Sequence, residues 1–199
     1  MELLRQRRRM QLRSRESGSV LLIALIILII ITAATLSVVR SMDIGNVISG
    51  NFAFKQAAMQ VSDRGITDAT NNLAAIVAGG GGNADQANRY FSTRRNDVDS
   101  LGVPSAVNWS NVQCRDEDNN DCDADKDTGK YRVQYVIERQ CSDNPVLSDP
   151  QSVKTNCDYE VREASPEQLA VRYRIIVRVR GPRNATGMVE AMVSGPVSS

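Results

Sequence analysis

The chain has 199 residues, 24 of them basic and 23 acidic, with four cysteines and no histidine. About 160 residues lie beyond the first apolar stretch, enough for one modest globular domain. Without histidine, the ordinary Ser-His-Asp, Cys-His and His-metal chemistries are excluded, and no nucleophile or carboxylate pair stands at a recognisable catalytic spacing, so the expected protein is not an enzyme.

The charge is divided unevenly along the chain. Residues 1–18 hold six arginines (Arg5, Arg7, Arg8, Arg9, Arg13 and Arg15) against Glu2 and Glu16, net +4, which leaves 18 basic against 21 acidic residues, net −3, in the rest. Residues 19–39, SVLLIALIILIIITAATLSVV, carry no charge and are followed by Arg40. At about 1.5 Å per residue this stretch spans a hydrocarbon core of roughly 30 Å as a helix, the one open conformation that satisfies its own backbone there. A basic flank before an apolar span keeps the N-terminus cytoplasmic and exports the C-terminal remainder of the chain. The arginines therefore read as topology, and no nucleic-acid partner is expected.

The apolar span is longer than the core of a secretory signal peptide and runs into TAATLSVV without a persuasive A-x-A cleavage site, so it is expected to stay in the protein. Gly18 stands directly before it. Met10 offers a second start, which would shorten the leader to MQLRSRESG. Beyond Arg40, apolar residues continue in steps of three and four, through Ile44, Ile48 and Phe52, then Phe54, Ala58 and Val61, then Ile66, Ala69, Leu73 and Ile76. That spacing predicts one face of an amphipathic helix, with Asp43, Lys55, Gln60, Asp63, Arg64 and Asp68 left for water. Unbroken over residues 19–77, it would be about 90 Å long. Gly45, Gly50 and Gly65 each weaken it by up to roughly 1 kcal/mol relative to Ala, which predicts bending or melting around 45–51. The four glycines 79–82 are its expected end and a connector, because neither the lysine nor the preceding strand of a phosphate-binding loop accompanies them.

Residues 83–127 are polar and lack periodicity. Within them Asp121, Asp123, Asp125 and Asp127 alternate like the first oxygen ligands of a calcium loop. Lys126 stands where that pattern has Gly and Arg132 where it has Glu. Two readings stay open, a calcium site and a solvated acidic loop. The four cysteines, Cys114, Cys122, Cys141 and Cys157, all lie in the exported part, where an even number predicts two disulfides in one of three pairings; Cys114 with Cys122 and Cys141 with Cys157 is the favoured one. Zinc is disfavoured by their wide spacing.

Strand signals begin at residue 130. Residues 130–139 alternate Tyr131, Val133, Tyr135 and Ile137 with Arg132, Gln134, Val136 and Glu138; residues 169–180 and 187–194, joined by a Gly-Pro-Arg-Asn loop, form an antiparallel hairpin. Residues 141–166 read as a connector. A sheet of at least three strands results. Arg172, Arg174, Arg178 and Arg180 share mostly one face, read as solvated in preference to a partner surface. The sequons at Asn108 and Asn184 read as chance matches.

A basic leader ending in Gly, a helix apolar and then amphipathic, and a cysteine-bearing sheet resemble the type IV pilins. Residues 17–25, SGSVLLIAL, residues 48–51 and 56–58, and the hairpin from Tyr173 to the strand after Gly187 resemble the PilX family of minor pilins, over about the first 60 and last 30 residues. The resemblance implies an α+β, type IV pilin-like fold with a small antiparallel sheet, a leader (1–18) cut by prepilin peptidase between Gly18 and Ser19, a membrane half (19–39) and an amphipathic half (40–78) of one helix, and a periplasmic or extracellular β-domain (79–199). It further implies residence in the inner membrane and then the pilus, other minor and major pilins as partners through the helix, a tip adhesin as a further partner, and roles in pilus assembly, adhesion or twitching motility. Major pilins have Glu at the fifth mature position, where this chain has Ile23, which suits a tip or priming subunit better than a repeating one. Ser19 replaces the usual Phe at the first. A type II secretion pseudopilin of the same architecture, and a signal-anchored periplasmic calcium-binding module, are the competing readings.

Overall fold

The computed structural model describes residues 17–78, 82–146, 148–161 and 169–195. The leader up to Glu16, with Met10, three of the four connector glycines and residues 162–168 lie outside them. By internal contacts the chain forms two units, residues 1–52 and residues 53–199.

In the first unit the described residues belong to one helix, α1 (Ser17–Ala78), whose later turns belong to the second. Every side chain from 19 to 52 is exposed. Within it Thr32 and Thr35 donate their hydroxyls to the carbonyls of Ile29 and Thr32, both at 2.9 Å, so neither hydroxyl needs water. The helical hydrogen bonding of α1 runs unbroken through Gly45 and Gly50, contrary to the expectation of melting there.

The second unit is a six-stranded mixed sheet with a cover on each face. Its elements are β1 (Tyr90–Phe91), β2 (Cys114–Asp116), β3 (Arg132–Arg139), the short helix α2 (Pro150–Asn156), β4 (Tyr159–Val161), β5 (Leu169–Arg180) and β6 (Thr186–Gly195). The central pair is β3 and β5, antiparallel with Ile137 opposite Ile175. Strand β6 lies on the other edge of β5, with Val177 opposite Val189, and β4 extends the sheet beside residues 169–171. Both long strands of the expected hairpin are present, each within a residue of its expected limits at either end.

The sheet is not wholly antiparallel, which corrects the sequence expectation. β1 runs parallel to β3, pairing Tyr90 with Ile137 and Phe91 with Glu138. A parallel neighbour requires a crossover, and residues 92–131 supply it by passing over one face of the sheet before β3 begins. The connector expected at 141–166 also holds more structure than its turn signals suggested. Asp149 accepts from the Gln151 N–H at 3.0 Å and caps α2, with Pro150 at its first position.

One face of the sheet receives the last turns of α1. Ala58, Ala69, Leu73, Ile76 and Val77 are buried against Val133, Ile137, Val171, Tyr173, Ile175 and Val177, and Phe54 stacks on Tyr131 with ring centroids 6.2 Å apart. Burial of each large aliphatic contributes about 1.5–3 kcal/mol. The other face is covered by the crossover, whose Val103 and Val112 pack with Phe91 of β1 on Val136 and Ile176. Strand β3 is thus buried on both sides, not on one as its alternation suggested.

Candidate functional site

Two features could carry function. The first is the apolar half of α1. Among the described residues α1 alone is long and apolar enough to cross a membrane, and its large side chains from Val20 to Val39 are 47–72% exposed. A surface of that kind needs an apolar solvent or partner helices. Gly18 and Ser19 both lie in the first turn of α1, and Ile23 is among its exposed residues.

The second feature is the polar seam between sheet and crossover. Arg172, Arg174, Arg178 and Arg180 were expected on a solvated face, but only Arg172 is exposed and the other three are half-buried. Arg174 forms an ion pair with the fully buried Glu138 at 2.9 Å and reaches Glu190 at 3.4 Å. Arg178 lies over the Trp109 ring, 5.3 Å from its centroid; burial, with Arg180 beside it, lowers its pKa from the usual guanidinium value. Arg180 donates to the Ala124 carbonyl at 2.8 Å and pairs with Asp125. Arg132, also fully buried, donates to the carbonyls of Ala124 (3.0 Å) and Gly181 (3.2 Å). Gln134 donates to the carbonyls of Trp109 (2.6 Å) and Val112 (2.9 Å). The correction has its cause in desolvation: cations this well covered persist because loop carbonyls and carboxylates replace their water.

The aspartates of the proposed calcium loop are the other half of that seam. Asp121 pairs with Arg115 at 3.0 Å, Asp123 accepts from the Asp125 N–H at 2.9 Å, and Asp125 pairs with Arg180. Asp127 accepts from the N–H groups of Gly129 (2.9 Å) and Arg183 (2.8 Å). The Gly129 N–H leads in holding its carboxyl below the usual range against partial desolvation, with help from Arg183 and Arg132. Among the described residues no three carboxylate or thiolate groups converge on one point. Asp121, Asp125 and Asp127 tie the loop to β2, β5 and the β5–β6 turn, and Asp123 turns the loop on itself. Disulfides join Cys114 to Cys122 across the same loop and Cys141 to Cys157 beside α2.

Sequence reasoning missed Glu138, Gln134 and Trp109 as partners in this seam. The available signal was the alternation of Arg174, Arg178 and Arg180 on one strand with an acidic, tryptophan-bearing segment that had no other place to pack. No family model, no curated protein and no solved structure matches the chain.

Proposed function

We propose that the protein is a minor pilin of the type IV pilus, processed between Gly18 and Ser19, held in the inner membrane by residues 19–39 with its N-terminus cytoplasmic, and then drawn into the pilus as a tip or assembly-priming subunit. The observation that carries this reading is the division of labour along α1. Its turns from residue 53 onward are used by the sheet, whereas those at 19–39 expose an apolar surface without a charge. Such a helix has two suitable environments, lipid and a bundle of similar helices, and transfer from one to the other exchanges lipid contacts for close packing. Ile23 adds the argument for a terminal position, since a subunit without a carboxylate there lacks the charge that a repeating subunit would offer its neighbour. Other pilins are then the partners of the helix, and the sheet domain is free to meet other minor pilins or an adhesin.

N-terminal sequencing of the protein extracted from membranes tests the proposal. A mature chain beginning at Ser19 is expected, and one that still begins at Met1 or Met10 would refute it. Loss of surface pili on deletion, restored by the intact gene and not by one encoding Gly18→Val, is the matching genetic result.

A further inference from the structure

A cavity of about 190 Å³ opens within the second unit, between the α1 turn at residues 61–68, β3 and the loops around 88 and 115. It is somewhat larger than the engineered cavity of about 150 Å³ that admits benzene. Its floor is apolar, made by Val61, Gly65 and Val133, and the Tyr135 ring forms one wall. Arg64, Arg89 and Arg115 also line it.

The charges at this site are unequally committed. Arg115 is paired with Asp121 at 3.0 Å. Arg64 donates to the Glu117 carbonyl, and Arg89 reaches the Asn72 side-chain carbonyl at 3.4 Å. Among the described residues neither of these two arginines has a carboxylate within ion-pair distance. The two lining carboxylates are already engaged. Asp68 accepts the Tyr135 hydroxyl at 2.8 Å, and Asp116 accepts the N–H groups of Asn120 (2.8 Å) and Asp118 (3.0 Å) and has Lys130 at 3.7 Å. Burial, then the bond to Asp68, pushes the Tyr135 hydroxyl up to about 12, so this wall stays neutral over the physiological range.

The geometry points to this cavity as a binding site for a small organic carboxylate whose apolar body is about the size of one ring. The ring would lie on Val61 and Val133 beside Tyr135, and the carboxylate would be held at the rim by Arg64 and Arg89, away from Asp68. Guanidinium groups suit that role because their fixed fork of donors matches a carboxylate, and both here keep donors that only neutral acceptors engage. This inference is independent of the pilin reading, because every residue it uses lies in the sheet unit.

The test is fluorine NMR titration of 4-fluorophenylacetate into the detergent-solubilised full chain, with empty micelles as blank and the neutral, isosteric 4-fluorophenylacetamide as control. Saturable binding in the millimolar range or tighter is expected for the acid, with at least tenfold weaker binding of the amide. Arg64→Gln and Arg89→Gln, both at exposed positions, are each expected to weaken the acid at least tenfold. Ala87→Phe, which fills the rim without changing charge, is expected to abolish binding and keeps the inference testable should an arginine variant not fold. A signal no larger than that of empty micelles, equal affinity for acid and amide, or affinity indifferent to all three substitutions overturns it.

Discussion

Gly65→Ala is a substitution that secondary-structure propensity and packing judge oppositely. In an unconstrained helix the change is worth about 1 kcal/mol in favour of alanine. At residue 65, however, the new methyl carbon would sit 2.7 Å from Val133 Cγ1 and 3.0 Å from Val177 Cγ1. Both valines are buried and β-branched, with little rotamer freedom to retreat. Overpacking of this kind costs about 1–3 kcal/mol, so after the propensity gain the variant should be destabilised by about 1 kcal/mol. Gly45→Ala meets nothing within 4 Å and should show no such loss. Urea unfolding of the full chain in detergent provides the assay, followed through Trp109, the sole tryptophan, which half-buries against Arg178. Val133→Ala alone should cost about 2 kcal/mol for its lost methyl groups. In the double variant the methyl at 65 enters the space so vacated, and the two effects should fall short of additive by about 1 kcal/mol. A Gly65→Ala protein as stable as the parent, or strict additivity with Val133→Ala, would refute the close-approach argument.

The same contacts lead to four further expected outcomes. Glu138→Ala leaves Arg174 only the partly exposed Glu190 and removes the acceptor of the Arg95 N–H (2.7 Å) and of the Gln140 amide (2.9 Å), so the unfolding midpoint should fall by the equivalent of about 3 kcal/mol. Removing the Cys141–Cys157 bridge, whose sequence separation is 16, should cost about 3 kcal/mol on the chain-entropy account, and removing Cys114–Cys122, with a separation of 8, about 2.5 kcal/mol, both read by the same urea titration. The Tyr90 and Tyr135 hydroxyls are raised, first by burial, from 10 to about 12; their contribution is fully present below pH 10 and lost as pH climbs to about 12, so stability should decline in that window and Tyr135→Phe should blunt the decline. Calcium should leave the thermal midpoint of the full chain unchanged, because Asp121, Asp123, Asp125 and Asp127 are each engaged by a different group; a saturable rise would show that the loop rearranges around the ion.

How much of this was legible depended on how local the deciding interaction was. The helix and the hairpin were, because a period of three to four through Ala58, Ala69, Leu73 and Ile76 and an alternation through Val171, Tyr173, Ile175 and Val177 repeat within a few residues of themselves. The parallel strand Tyr90–Phe91 was not, since two residues carry no period and its partner lies more than forty positions away. Helix α2 is seven residues long and depends on an Asp-Pro start that also reads as a turn. The seam was misread for a different reason. Arginines on alternate strand positions look solvated wherever the sequence does not reveal that another segment will lie over them, and that segment here is polar enough to pass for a loop in water. The cavity at residues 61–68 left no trace of its own, because it is assembled from four separate stretches.

The two faces of the sheet are stabilised in different ways, and the difference bears on how the domain can act. Toward α1 the contact is between aliphatic and aromatic side chains, with glycines at 65, 181 and 195 where the approach is close; Gly181 admits the Phe54 ring where a Cβ would meet it at 2.6 Å, and Gly195 the Tyr173 ring at 2.5 Å. That face tolerates little change in volume. Toward the crossover, Arg132 and Arg180 bind the loop mainly through carbonyls and carboxylates, several of them in partly open positions. Such contacts are directional and respond to salt, whereas the apolar face does not. Sequence change in the crossover is therefore constrained chiefly at the residues that meet the arginines, and Leu101, exposed at the tip of a turn fixed by Asp99, is free of that constraint. A domain built this way holds its helix firmly on one side while leaving the outer surface of its other cover open to variation. For a subunit proposed to join a shared helical bundle and meet differing partners, this places the variable surface away from the contact between α1 and the sheet.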